Sequence, residues 1–350
     1  MFLRPRFFLA AIALFPLGAT AADPQPGVSF SHNDWEIVCD NTRTCRAAGY
    51  SEDGAERRVS VLLTRAAGPG EAVKGQLTLG RYGEEDEAFY ATLPKNIKLT
   101  LHINGRPAGR VTVPQDSLVA DLPPQQLSAL LTALRGKTTI EWALGDNRWP
   151  LSGAGAAAVL LKMDEFQERL HTPGALIRKG TRSEASVLPP LEPLTIKPAK
   201  LFPTRPSDKK IGADPELRKA LLALMGNDSV CAERLANPDQ AIEINRLSNS
   251  KLLASTFCWL AAYNGGSGYW VINEKPPFNP DLVTDSGSEY GNGSIYTSHK
   301  GRGLGDCWSS DSWTWDGDQF VQTEASSTGM CRLMAPGGAW SLPSIVTKAR

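Results

Sequence analysis

Patterns that announce a reaction are scarce in this sequence. Its four histidines, His32, His102, His171 and His299, form no H-E-x-x-H pair and flank no G-x-S-x-G elbow, so zinc-protease and serine-hydrolase readings lose their usual support. Gly266-Ser267-Gly268 stands in a hairpin-like context without the strand-to-helix elbow a nucleophile needs. No two cysteines are spaced C-x-x-C and no histidine lies near one in a zinc pattern, so no metal is expected. Asp306, Asp311, Asp316 and Asp318 lack the D-x-D-x-D-G spacing of a calcium loop and read as turn residues. Charge of one sign is missing too. Lys and Arg number 37, as do Asp and Glu, which gives no general electrostatic drive toward nucleic acid. Beyond residue 17 no run approaches the ~20 apolar residues that span a bilayer. A catalytic site and a cofactor are therefore not expected, although carboxylates are numerous enough to keep a hydrolase with a paired-acid cleft as a distant alternative.

What is present begins at the N-terminus. Met1-Phe2-Leu3-Arg4-Pro5-Arg6 is short and basic, Phe7 to Leu17 is apolar, and Ala19-Thr20-Ala21 is an A-x-A cleavage site. A signal peptide over residues 1–21 is expected, and with it export to the periplasm. Removing it takes away Arg4 and Arg6 and leaves 35 basic against 37 acidic side chains. All six cysteines, Cys39, Cys45, Cys231, Cys258, Cys307 and Cys331, follow the cleavage point, and an even count in an exported chain favours disulfides. Six cysteines allow 15 connectivities, and three survive if the first two share a domain. The nearest-neighbour set is the expected one, with stabilisation of roughly 3.5 kcal/mol for each longer loop and about 2.4 kcal/mol for the short one.

Composition divides the mature chain. Residues 187–206 carry six prolines without an apolar period, and residues 178–210 hold eight basic residues against three acids. This predicts an extended basic connector that either touches an anionic envelope polymer or lipid or is a solvated spacer, the second being favoured. Before it, Val59–Leu63 and Lys98–Ile103 are β-rich, and Asn104-Gly105 marks a hairpin. Leu127, Leu130, Leu131 and Leu134 form the stripe of a helix with Asp121 as its expected cap, a strand follows at 138–142, and 156–170 reads as a second helix. After the connector, Asp214-Pro215 opens a helix that stops at Gly226. From Lys251 onward Asn264-Gly265, Asn292-Gly293 and Asp316-Gly317 punctuate a meander. The expected fold is α+β and mostly β. Residues 22–171 form an antiparallel β-sandwich-like domain with a packed helix, 172–210 a Pro-rich linker, and 211–350 a disulfide-bonded β-meander domain with an N-terminal helix.

The segments Trp35-Glu36-Ile37-Val38-Cys39-Asp40, Cys45-Arg46-Ala47, Leu101-His102-Ile103-Asn104-Gly105 and Lys137-Thr138-Thr139-Ile140 resemble the invasion-associated locus B family of exported bacterial proteins over about residues 28–170. Relatives of that type carry a further cysteine pair ahead of the leucine helix, absent here from Pro114 to Leu122. With Cys258-Trp259, Asp306-Cys307-Trp308, Trp313-Thr314-Trp315-Asp316-Gly317 and Cys331-Arg332 added, nearly the whole mature chain resembles the periplasmic family DUF1176. Both resemblances imply an envelope location and supply no catalytic residues.

Two clusters are candidate sites. Tyr269, Trp270, Trp308, Trp313, Trp315 and Phe320 are candidates for an aromatic face, with Trp313 set opposite Phe320 by a two-residue Asp316-Gly317 turn. Such a face can stack on sugar or accept a protein partner, or it can be the core of a thin β domain. His299, Lys300 and Arg302 form a candidate anion loop or a solvated turn. The expected function is a non-enzymatic periplasmic binding protein whose partner is another envelope or secreted protein, in the manner of an inhibitor or immunity factor. A glycan- or peptidoglycan-binding module is the alternative.

Overall fold

The computed structural model describes residues 27–226 and 229–349; the expected signal peptide lies outside them. The first half contains β1 (Ser29–His32), β2 (Trp35–Cys39), β3 (Cys45–Tyr50), β4 (Val59–Arg65), β5 (Lys74–Leu79), α1 (Glu84–Ala91), β6 (Asn96–Ile103), β7 (Arg106–Pro114), β8 (Val119–Asp121), α2 (Pro124–Ala133), β9 (Ile140–Leu144), β10 (Asn147–Leu151) and α3 (Ala156–Phe166). The connector holds β11 (Leu194–Ile196) and α4 (Pro206–Ile211). The second half contains α5 (Pro215–Met225), α6 (Val230–Ala236), β12 (Glu243–Arg246), β13 (Lys251–Leu260), β14 (Gly265–Asn273), β15 (Asp281–Gly287), β16 (Glu289–Gly291), β17 (Ser294–Lys300), β18 (Trp308–Trp315), β19 (Phe320–Ser327), β20 (Leu342–Ile345) and β21 (Thr347–Ala349). The fold is mostly β, as expected.

Strand alternation builds the first core. Val59, Val61 and Leu63 of β4 point inward from the sheet β1-β2-β3-β4-β5-β8 and meet Ile97, Leu99 and Leu101 from the sheet β10-β9-β6-β7. The leucine stripe of α2 and Val159, Leu160 and Met163 of α3 close this core. Asp121 does not cap α2. The Pro123-Pro124 pair occupies the N-cap and first helical positions itself, and Asp121 ends β8, accepting a hydrogen bond from Gln76 Nε2 at 3.0 Å. α3 stops at Phe166, short of the expected Leu170, because Glu168 turns left-handed at φ 56°. Asn104 and Gly105, at φ 51° and 74°, make the expected two-residue turn.

The second half is layered. On β14, Trp270 and Ile272 face α5 and α6, where Leu217, Leu221 and Leu235 wait, while Tyr269 and Val271 face Ile295, Trp315 and Phe320 of the sheet β16-β17-β18-β19-β20. The Asp316-Gly317 connection is four residues long, closed by Asp316 N–H donating to Gln319 O at 3.0 Å. Consequently Trp315 lies opposite Phe320, and Trp313 lies opposite Gln322, a correction to the expected register. The cysteines pair as 39–45, 231–258 and 307–331.

The connector is not a free spacer. It is pinned near one end by Arg169, which donates to Gly68 O at 2.7 Å and ion-pairs Glu184 at 3.7 Å. At the other end Arg246 forks onto Asp208 at 2.6 and 2.8 Å, both residues buried. Between them β11 pairs in parallel with β21, and Ala199 N–H donates to Trp315 O. Polyproline stretches that find backbone partners lie down as readily as they extend, and composition could not distinguish the two.

The halves are joined by the C-terminal segment. The outer face of the six-stranded sheet is itself apolar at Val38, Ala48, Tyr50 and Leu62, and Met334 and Leu342 cover it, with Met330, Ala339 and Trp340 alongside. Polar contacts fix the seam. Met330 N–H and Tyr50 O–H each donate to Glu36 Oε1 at 2.7 Å, Arg332 meets Asp34 at 2.7 Å, and Trp340 Nε1–H donates to Ser60 Oγ at 2.7 Å. Burial pushes the Glu36 carboxyl above its ordinary range, against the pull of the Tyr50 and Met330 donors and of Arg332.

Two outcomes follow from this seam. Leu342→Ala should cost about 2–5 kcal/mol and lower one common unfolding transition for both halves in urea; two separate transitions would contradict the coupling. Because the folded Glu36 pKa is raised, its contribution is fully present below the unfolded value and is lost as pH rises through the folded one. Glu36→Gln should therefore gain stability relative to the parent as pH rises from 4.5 toward neutrality, measured by urea melts across pH.

Candidate interaction surface

Most of the expected aromatic face is interior. Trp270 belongs to the core under α5 and α6, and Tyr269, Trp315 and Phe320 to the core between the two sheets of the second half, so consecutive residues of one strand serve opposite layers. Trp313 is half-buried against the latter core. Trp308 alone of the six stands apart from both cores, half-buried, its Nε1–H donating to Gly305 O at 3.0 Å.

The expected anion loop is divided in the same way. Arg302 is spent on Asp306, with Nε and Nη2 at 2.8 and 2.6 Å from the two carboxylate oxygens. Burial raises the Asp306 carboxyl, but the guanidinium fork and Leu333 N–H outweigh it and hold the group below its ordinary value. His299 lies beside Trp259, ring centroids 5.5 Å apart, with Nε2 3.3 Å from Gly265 O. Lys300 is half-buried, its Nζ 5.4 Å above the Trp308 ring. Asp316 accepts from Asp318 N–H and Gln319 N–H, the turn role its type suggests.

Next to Lys300 stands a feature that the sequence reading passed over. The β13–β14 hairpin ends in Leu260-Ala261-Ala262-Tyr263, all four exposed, with Leu260 at 74% and Tyr263 at 46%. Phe257 and Leu304, the latter 56% exposed, extend this apolar surface. A side chain added at Gly265 would stand 3.5 Å from both Leu260 and Phe257, and one at Gly303 would stand 3.5 Å from Tyr263, so the residues are neighbours. A large apolar residue exposed singly is ordinary, whereas a contiguous exposed cluster is a candidate interaction site. The available signal was an apolar run directly before the Asn264-Gly265 turn dipeptide.

This tip is held in place. Asn264 Nδ2–H donates to Lys300 O and its Oδ1 accepts from Lys300 N–H, both at 2.9 Å, so one side-chain amide supplies both bonds of a ladder rung between β17 and the hairpin. Ala261 N–H closes the turn on Asn264 O at 2.7 Å. The disulfides brace the flanks. Cys258, two residues before Leu260, is bonded to Cys231 of α6, and Cys307 and Cys331 stand against Gly301, where a Cβ would lie 2.7 Å from the Cys307 sulfur. Tyr82 of the first half donates its hydroxyl to Leu304 O, which ties the loop to the other side of the seam.

Elsewhere a concavity of about 490 Å3 lies in the first half among Glu52, Asn104, Lys137, Thr139 and Ser152, and none of the expected site residues lines it. The carboxylates of Asp208 in the connector and Glu274 in the second half both engage Arg246, and Asp311 engages Thr297 and Gln322, so each already has a structural partner.

The family described as "Protein of unknown function (DUF1176)" matches residues 29–347, running through both halves and the seam. The chain belongs to the DUF1176 family. The resemblance of the first half to the locus B family gains no support from these matches. A relative, "Uncharacterized protein YpfG" of Escherichia coli (strain K12), is 26% identical over 358 aligned residues, covering 95% of this chain and 96% of the relative. No solved structure matches. The DUF1176 match ends at residue 347, so it includes the segment that covers the outer sheet face.

The clip has a direct readout. Asn264→Ala removes both bonds to Lys300 and should cost about 1–3 kcal/mol, with faster amide hydrogen exchange at Lys300 and through residues 260–266. Exchange in β6 and β9, far from the hairpin, should be unchanged. Equal protection of the tip in parent and variant would show that Asn264 does not order it.

Proposed function

We propose that this DUF1176 protein is an exported, non-enzymatic binding protein of the periplasm, and that its partner is another envelope or secreted protein. The observation that carries the reading is the exposed apolar hairpin tip, fixed in one conformation by Asn264 and flanked by two disulfides. A pre-ordered tip loses little conformational freedom on binding, and Tyr263 is the kind of anchor that fills a partner's pocket, with Leu260 adding apolar area beside it. Burying Leu260 fully is worth roughly 1.5–3 kcal/mol. Three bridged cysteine pairs suit an oxidising compartment, in keeping with the N-terminal signal pattern. An inhibitor or immunity factor that plugs a cleft is the form of partner binding this shape serves best. Sugar stacking is less favoured, since four of the six rings proposed as its platform are buried.

The test compares the parent chain with Leu260→Ser/Tyr263→Ser, both immobilised and exposed to an envelope extract of the cells that make the protein. A protein retained by the parent and held at least ~10-fold more weakly by the variant is the expected result. An identical retained set would refute the tip as the binding element.

A further inference from the structure

The two cations that flank the tip identify the chemistry of its partner, an inference that rests on the protein-binding reading above. Lys300 Nζ stands 5.4 Å over the Trp308 ring, and the Arg234 guanidinium stands 5.8 Å over Phe257. Among the described residues neither makes an ion pair, and Glu233, adjacent to Arg234 in α6, makes none with it. Arg302, in the same loop as Lys300, is neutralised by Asp306. An aromatic face steadies a cation without cancelling its charge. Both positive charges are thus held at fixed places, beside an apolar protrusion, with no internal acid to satisfy them.

The disulfides determine those places. Arg234 lies one helical turn after Cys231, whose bridge to Cys258 fixes α6 to the base of the hairpin. Lys300 precedes Gly301, which packs directly on the Cys307 and Cys331 sulfurs. We infer that the partner is a protein with an apolar cleft rimmed by carboxylates, into which Leu260 and Tyr263 insert while Lys300 and Arg234 each meet an acidic side chain. An anionic bilayer is the rival occupant and is disfavoured by size. Two of the four tip residues are alanine, and interfacial binding grows with buried apolar area and with the number of basic residues, of which only two flank the tip. A cleft encloses the tip on all sides and gains from fixed cation positions, whereas a fluid bilayer does not.

The experiment places the photoreactive residue benzoyl-phenylalanine at position 263 of the full chain in its native cells, in three backgrounds: parent, Lys300→Gln/Arg234→Gln, and Lys300→Glu/Arg234→Glu. Thermal melts of each purified chain establish that all three are folded to the same extent, and the neutral pair keeps the test valid if charge reversal unfolds the protein. The expected result is one discrete protein adduct whose yield falls several-fold in the neutral pair and about tenfold or more on reversal. Its cross-linked peptide should lie beside Asp or Glu residues. A discrete adduct of equal yield in all three backgrounds would overturn the acidic-rim inference and leave the protein-binding reading standing. No protein adduct in any background would overturn that reading too. Sedimentation of the purified parent with vesicles of phosphatidylethanolamine and phosphatidylglycerol at 3:1, lost on charge reversal, would assign the tip to the membrane instead.

Discussion

A sheet with two apolar faces must be covered twice, and this requirement organises the molecule. Val59, Val61 and Leu63 of one strand bury their inward face in the first core, while Leu62 of the same strand, with Val38, Ala48 and Tyr50, makes the outward face apolar as well. The cover comes from the far end of the chain, where Met334 precedes β20 and Leu342 opens it, the edge strand of the second-half sheet. Burial of this patch explains why the halves share ion pairs and hydrogen bonds across more than 270 positions of sequence, such as Glu36 with Met330 and Asp34 with Arg332. It also explains why the connector lies flat, since two bodies joined at a seam leave it a fixed span to cross.

The same economy of strands runs through the second half. β14 separates two cores with alternate residues, and the aromatic residues that look like a surface cluster in the sequence are divided between them. What reaches solvent is the end of the β13–β14 hairpin, where the ladder stops and Asn264 substitutes for the next rung. Disulfides at both flanks fix neighbouring groups relative to that tip. The bridges therefore do more than close loops. They set the spacing between the apolar tip and two cations, the pattern that the proposed partner would read.

Much of this fold was legible from residue patterns, because its elements obey local rules. Asp214-Pro215 began a helix with Asp214 accepting from Glu216 N–H, Asn104-Gly105 and Asn292-Gly293 formed two-residue turns, and nearest-neighbour cysteines paired. Failures came where a choice was not local. Asp121 and the proline pair competed for one cap, and sterics at the prolines decided it. A four-residue turn moved the partner of Phe320 from Trp313 to Trp315. Exposure was the least legible property. Leu260-Ala261-Ala262-Tyr263 is as apolar as a buried strand, and only its position at the closing end of the β13–β14 ladder, where Leu260 pairs with Gly265, places it in water. Within the candidate site, Lys300 and Trp308 were visible as residue types, but the loss of Arg302 to Asp306 depends on burial that composition does not encode.

The central claim is that the tip is a contact surface in the cell and not merely an exposed loop. Hydroxyl-radical footprinting, performed on the purified chain and on the same chain inside intact cells, measures this without naming the partner. The account predicts that Leu260, Tyr263 and Leu304 are modified readily in the purified protein and protected in cells, while Tyr296, exposed on the other sheet, is modified equally in both. Equal modification of all four residues in the two settings would contradict it.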